Sequence, residues 1–208
     1  MTSKYSSGDC IFFYRPEELP YGCFANKSKH SFRLKDKLWG SVEHYYQAQK
    51  FADTPYEETI RTTTDVKAAR KLGMTRDEPI RPDWEQVKDS IMVDALTAKF
   101  TQHKDTIFPV LASTGTRTIV FHSAKDGYWG DAHGDGTNRL GFLLMAVRDN
   151  LLGVDEGSGD ESSSYEEYED EKGEKQKRKK TRKARKNEVF KHANGSSRFE
   201  KDDQGLAK

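Results

Sequence analysis

Cysteine is scarce: Cys10 and Cys23 are the only two in 208 residues. That count excludes a disulfide-dense scaffold, and neither cysteine has the spacing of a zinc motif. Nowhere does an apolar run approach the roughly twenty residues that a helical bilayer span needs. The opening residues, 1–9, are polar and lack the apolar centre of a secretory signal. The hydrophobic share is 34%, low for a chain that is globular throughout, so part of the length should lie outside any core. These shortages lead us to expect a cytoplasmic protein with reduced thiols and no membrane partner.

Charge, by contrast, is plentiful at 33%, and the net value of +1 averages two opposed blocks. Residues 155–174 carry ten Asp/Glu against one Lys, and residues 175–186 carry nine Lys/Arg and no acid. Neither block holds enough apolar surface to offset the entropy of ordering it. The expected organisation is therefore one folded domain over residues 8–153 and a disordered, acidic-then-basic tail over 154–208. The basic run 175–186 could hold nucleic acid through counterion release or serve as a nuclear import signal in a eukaryote. The competing reading is a solvated linker whose halves attract each other loosely.

Within the domain, residues 9–14 are rich in β-formers and read as a strand. Residues 16–31 carry turn chemistry. Residues 32–39 suit a short hairpin around Lys35-Asp36-Lys37. Ser41 offers an N-cap for a helix over 42–52, ended before Pro55, and a shorter helix fits 65–72 with Gly73 as its stop. The clearest helix opens at Pro82-Asp83-Trp84-Glu85-Gln86, with Asp83 as cap and Gln86 completing a capping box. Its apolar stripe is Trp84, Val87, Ile91, Ala95 and Ala98, widened by Met92 and Leu96, and it runs to Phe100. Residues 105–112 suit a helix containing Pro109, and residues 117–122 alternate like a strand. A glycine-punctuated loop over 125–137 leads to Asn138, a candidate cap for a last helix closed by Gly153. Strands and helices do not alternate as a doubly wound sheet would require, so the class is α+β and predominantly helical.

Two places could carry chemistry. Glu43, Tyr46, Gln47 and Lys50 recur at i, i+3, i+4 and i+7, which lines a carboxylate, an aromatic, an amide and an amine along one helix face. Such a face could bind a sugar or base, or simply meet solvent. The loop before Asn138 sets Asp126, Trp129, Asp131, His133 and Asp135 among glycines, ahead of a helix N-terminus that could bind phosphate. It could also be an ordinary surface loop. Asp131, Asp135 and Asn138 are oxygen donors but lack the EF-hand spacing, so no metal is expected, nor any cofactor. Trp84 could be a core residue or a stacking wall for a base.

Several stretches occur in one order: Ser41-Val42-Glu43-His44-Tyr45-Tyr46-Gln47-Ala48-Gln49-Lys50-Phe51, then Trp84-Glu85-Gln86-Val87-Lys88, Met92 and Lys99-Phe100, then Tyr128-Trp129-Gly130-Asp131 and Asn138-Arg139-Leu140-Gly141. Together they resemble the NADAR (NAD and ADP-ribose) family, also called YbiA-like. Phe24-Ala25-Asn26 is similar to that family's early Phe-Ser-Asn segment, with Ala25 in place of serine. The resemblance spans residues 11–152 and leaves out the tail. It implies a compact, mainly helical α+β domain and an N-glycosidase that cleaves a ribose C1′–N bond. In bacterial members the substrates are phosphoribosylamino-pyrimidines, early riboflavin intermediates; related members remove ADP-ribose from guanine in nucleic acid. It also implies catalytic roles for Glu43, Trp84 and an aspartate, Asp126 or Asp131. Ligand contacts are expected from Asn26, Tyr46, Gln47, Lys50, Trp129, Gly130, Asn138 and Arg139. The partner expected is a phosphorylated ribosyl-base. A non-catalytic ADP-ribose-binding module is a third reading, but it has no use for the retained carboxylates.

Overall fold

Parallel pairing of two distant segments anchors the molecule. The structure is a computed structural model that describes residues 5, 8–153, 165–169 and 175–179. It divides into two units, Met1–Asp155 and Glu156–Lys208. In the first, strand β1 (Cys10–Phe13) lies parallel to β4 (Thr118–Phe121), in register from Cys10 opposite Thr118 to Phe13 opposite Phe121. Ile11, Phe13, Ile119 and Val120 are buried, as β-branched and aromatic residues of a covered sheet should be. Strands β2 (Phe32–Leu34) and β3 (Lys37–Trp39) form the expected hairpin. Its two-residue turn holds Lys35 at φ 52° and Asp36 at φ 60°, the left-handed pair that matches strand twist.

Helix α1 (Val42–Ala48) continues as a 3₁₀ turn through Phe51, α2 is Pro55–Thr62, and α3 is Val66–Leu72. Helix α4 (Trp84–Gln102), the short α5 (Phe108–Ala112) and α6 (Arg139–Leu152) complete the unit. The sequence reading treats Pro55 as a stop and assigns no helix to α2. Pro55 instead opens it, because proline's missing N–H costs nothing in a helix's first turn. Asp83 makes no side-chain cap on α4 and engages Arg81 at 2.6 and 2.8 Å, so the expected capping box is absent. Gly153 closes α6 at φ 68°.

Helix α1 is central. All seven of its residues are buried, and it packs against α2, α3 and α4. Trp39 stands edge-on to Tyr45 at 4.9 Å, and both are fully buried. Each such aromatic contributes about 1.5–3 kcal/mol from burial alone. Cys10 and Cys23 do not form a disulfide with each other. No helix among the described residues is long and apolar enough to cross a membrane.

In the second unit, the backbone at Tyr165–Glu169 (β5) pairs antiparallel with Lys175–Lys179 (β6), which sets Glu167 opposite Lys177. The remainder of the tail, including most of the basic run 175–186, lies outside the described residues.

Candidate active site

Glu43 enters α1 one residue after its first turn begins, and both neighbouring amides are accounted for. The Glu43 amide donates to the Asn26 carbonyl at 2.9 Å, and the His44 amide donates to the Ser41 cap. The Asn26 turn is therefore tied to the start of the helix. Only 3% of Glu43 is exposed. Its Oε1 accepts from Gln47 Nε2 at 2.9 Å and from Arg70 Nη1, on α3, at 3.4 Å. Neither bond involves Oε2. With its amide nitrogen directed at Glu43, Gln47 has its Oε1 buried and unpartnered, and Asn26 Oδ1 is in the same condition. Buried acceptors of this kind are uncommon in a finished core and suit a site that receives a ligand's donors. A Cβ at Gly73 would collide with the Gln47 side chain, so the end of α3 can approach α1 here only as glycine.

Beside this carboxylate stands an aromatic group. The Tyr46 ring lies 5.0 Å from Trp84 and 5.4 Å, edge-on, from Trp129. Burial pushes the Tyr46 phenol up, and the nearby Glu43 charge adds to the shift. Lys50 closes the group, its Nζ 5.7 Å from the Trp84 ring and 5.9 Å from Tyr46 while donating to the Gly73 carbonyl at 2.8 Å. Burial holds the Lys50 ammonium below its usual range; Glu43 opposes that shift and Arg70 reinforces it. One buried carboxylate is thus flanked by two cations and three aromatic rings, drawn from α1, α3, α4 and the 125–137 loop. The structure brings Glu43, Tyr46, Gln47, Lys50, Trp84 and Trp129 together. Arg70 does not feature in the sequence reading, and Gly73 features there only as a helix stop, since nothing local marks either as part of a site.

The two aspartates of the loop have different surroundings. Asp126 Oδ1 accepts the amides of Tyr128 at 3.2 Å and Trp129 at 2.7 Å, a turn that helps present Trp129 to Tyr46. Asp131 is 1% exposed, with Oδ2 on His122 Nδ1 at 2.8 Å and Oδ1 on the Ser123 amide at 3.1 Å. Both of its oxygens are thus engaged by residues just ahead of the loop, whereas both bonds to Asp126 fall on Oδ1.

Three expectations at the start of α6 need correction. Its leading amides do not form a phosphate cradle: those of Thr137, Asn138, Arg139 and Leu140 donate to the carbonyls of Gly127, Gly130, Tyr128 and Trp129 at 2.8–3.1 Å. Asn138 holds the N-cap position but its side chain makes no cap; fully buried, its amide is already engaged, accepting from the Phe121 amide at 2.9 Å and donating to the Ile119 carbonyl at 2.8 Å. Arg139 is paired with Asp89 at 2.6 Å rather than open to phosphate. Asp89 also accepts from the Tyr128 hydroxyl at 2.8 Å. Gly130 is likewise a packing glycine, since a Cβ there would come within 2.8 Å of the Ser123 Cβ. Among the described residues, no group of three or more His, Cys, Asp and Glu is placed to hold a metal ion.

Comparison with known proteins gives the same outline. The NADAR domain model matches residues 12–152. N-glycosidase YbiA of Escherichia coli is 42% identical over 142 residues, covering 68% of this chain and 88% of that protein. N-glycosidase Npun_R5314 of Nostoc punctiforme is 41% identical over 145 residues, with 68% and 92% covered. The riboflavin biosynthesis protein PYRR of Zea mays is 34% identical over 166 residues, covering 72% of this chain but 26% of its own length. The NMR structure of E. coli YbiA superposes with a TM-score of 0.65 at 39% identity, covering 74% of this chain and 90% of that one. With more than half its length matched by the domain model and the fold shared, this chain belongs to the NADAR family.

Proposed function

We propose that this protein, an N-glycosidase, hydrolyses the ribose C1′–N bond of phosphoribosylamino-pyrimidine intermediates of riboflavin biosynthesis. The carrying observation is the buried Glu43 carboxylate, set beside Tyr46, Trp84 and Trp129 and between Lys50 and Arg70. Cleavage of such a bond passes through an oxocarbenium-like state in which positive charge grows at C1′. A carboxylate already stripped of water stabilises that charge strongly and can take a proton from the attacking water. The water's hydroxyl joins C1′, its proton ends on the departing nitrogen, and ribose 5-phosphate and the free aminopyrimidine result. Trp84 and Trp129 supply flat apolar walls for the base. Lys50 and Arg70 exceed Glu43 by one positive charge, which suits a substrate phosphate. Asp126 is the candidate for protonating the leaving base. The maize relative, and one from Vibrio vulnificus that is 37% identical over 142 residues, are named as riboflavin biosynthesis proteins, which supports the pyrimidine substrate.

The test is product analysis with purified protein offered a phosphoribosylamino-pyrimidine and, separately, ADP-ribosylated guanine in an oligonucleotide. Release of ribose 5-phosphate from the first is expected. Glu43→Gln, folded, should lower it by roughly 10²–10⁴-fold, the usual contribution of a positioned acid or base. Undiminished turnover in that variant refutes the role of Glu43, and release of ADP-ribose alone moves the substrate to modified nucleic acid.

A further inference from the structure

A buried cation lies outside the cluster just described. Lys99, on α4, is fully buried, and among the described residues no salt bridge to a carboxylate satisfies its charge. Its ammonium donates to the Cys23 carbonyl at 2.5 Å, to Ser28 Oγ at 2.6 Å and to the Ala25 carbonyl at 3.3 Å. Three donors meet three acceptors, all on the turn at residues 23–28. That turn carries Asn26, whose carbonyl accepts the Glu43 amide at 2.9 Å. We propose that Lys99 is a positioning residue of the glycosidase site: its ammonium holds the 23–28 turn against α4 and so keeps Asn26 seated on the first turn of α1, beneath Glu43.

A purely structural role is a poor account of this residue. An apolar side chain of similar length would fill the same space without the cost of desolvating a charge. What an apolar chain cannot do is donate to two carbonyls of a turn whose own hydrogen bonds are local. The Ser28 hydroxyl also donates to the Cys23 carbonyl at 3.2 Å, so the ammonium completes a closed network. The Asn26 side chain, with its unpartnered Oδ1, is displayed by the same turn. Only the ammonium donates to all three acceptors at once; a neutral amine would have to accept from Ser28 Oγ, taking that hydroxyl's hydrogen from the Cys23 carbonyl. Burial lowers the Lys99 pKa to about 7, with the Cys23 thiol opposing the shift. His30, itself lowered by burial first and then by Lys99 and His103, faces the same ammonium, and His30 and His103 meet edge-on at 5.4 Å. The turn is therefore held by a group that releases its proton near neutrality.

This inference rests on the role given to Glu43. Its test follows kcat and KM across pH for the wild type, Lys99→Met and Ser28→Ala, with the folded fraction of each measured by circular dichroism. In the wild type kcat should fall along a basic limb near neutrality. Ser28→Ala removes one acceptor, favours the neutral amine and should move that limb to lower pH. Lys99→Met should lose the limb, with kcat at least tenfold lower and KM within about twofold. A Lys99→Met enzyme that keeps wild-type kcat, or keeps the limb, overturns the proposal. Should that variant fail to fold, an unmoved limb in Ser28→Ala overturns it equally. If Glu43→Gln is inactive while both turn variants behave as wild type, only the role of Lys99 falls; if Glu43→Gln is active, the reading of the site itself falls.

Discussion

Replacing Asn138 by alanine should damage stability far more than catalysis. The side chain is fully buried and bridges two backbone groups of β4, the Phe121 amide and the Ile119 carbonyl. Truncation strands one donor and one acceptor, each at about 1–3 kcal/mol. The backbone at Asn138 has φ 50° and ψ 39°, the left-handed region that asparagine tolerates and alanine resists by roughly another 1 kcal/mol. The sum is about 3–7 kcal/mol, against a total stability of about 5–15 kcal/mol for a typical domain. Asn138→Gly loses the same hydrogen bonds but escapes the backbone strain, so it should be less damaging than alanine by about 1 kcal/mol. Urea unfolding followed by tryptophan fluorescence reads both values, and KM for the folded fraction should stay near wild type. A loss below about 1 kcal/mol in Asn138→Ala would refute the buried bridge, and a tenfold rise in KM at intact stability would place Asn138 on the ligand.

Two further outcomes follow from buried charge. Asp89→Ala removes the partner of Arg139, whose side chain is 9% exposed, and should lower unfolding free energy by about 3–5 kcal/mol. KM should be unchanged within twofold; a large KM increase with little lost stability would place Arg139 on the substrate phosphate. Lys99 should also leave a signature on stability against pH. Its folded pKa of about 7 lies below the ordinary lysine value of 10.5, so between these limits the unfolded chain binds more protons. Stability should accordingly rise with pH across that window, and the rise should be missing from Lys99→Met in parallel urea titrations. The sign is opposite to that expected for kcat, which separates the two consequences of one ionisation. A wild-type curve that falls or stays flat relative to Lys99→Met from pH 7 to 10 would rule out a depressed Lys99.

Local chemistry made much of this molecule readable before any coordinates. The stripe from Trp84 through Ile91 and Leu96, the Ser41 cap and the Lys35-Asp36 turn each depend on neighbours a few residues away, and each forms as expected. The i, i+3, i+4, i+7 spacing likewise placed Glu43, Tyr46, Gln47 and Lys50 on one face, because helix geometry alone dictates it. The same local rules failed where one residue type serves two ends. Proline before a helix and proline inside one read alike, so α2 was not recognised. Asparagine ahead of a helix suggests a cap, whereas Asn138 turns its amide to strand residues 17 and 19 positions earlier in the chain.

What only the tertiary structure decided is which partners each polar group has. Loop carbonyls took the α6 amides that a phosphate could have used, and Asp89 took Arg139. From α3 came Arg70 to face Glu43, and from α4 came Lys99 to grip a turn more than seventy residues away. Composition and periodicity determine which surfaces must be buried, because apolar burial depends on amount and face. Hydrogen bonds and ion pairs are satisfied one at a time and in specific geometry, so their pairing emerges only when distant segments are brought together.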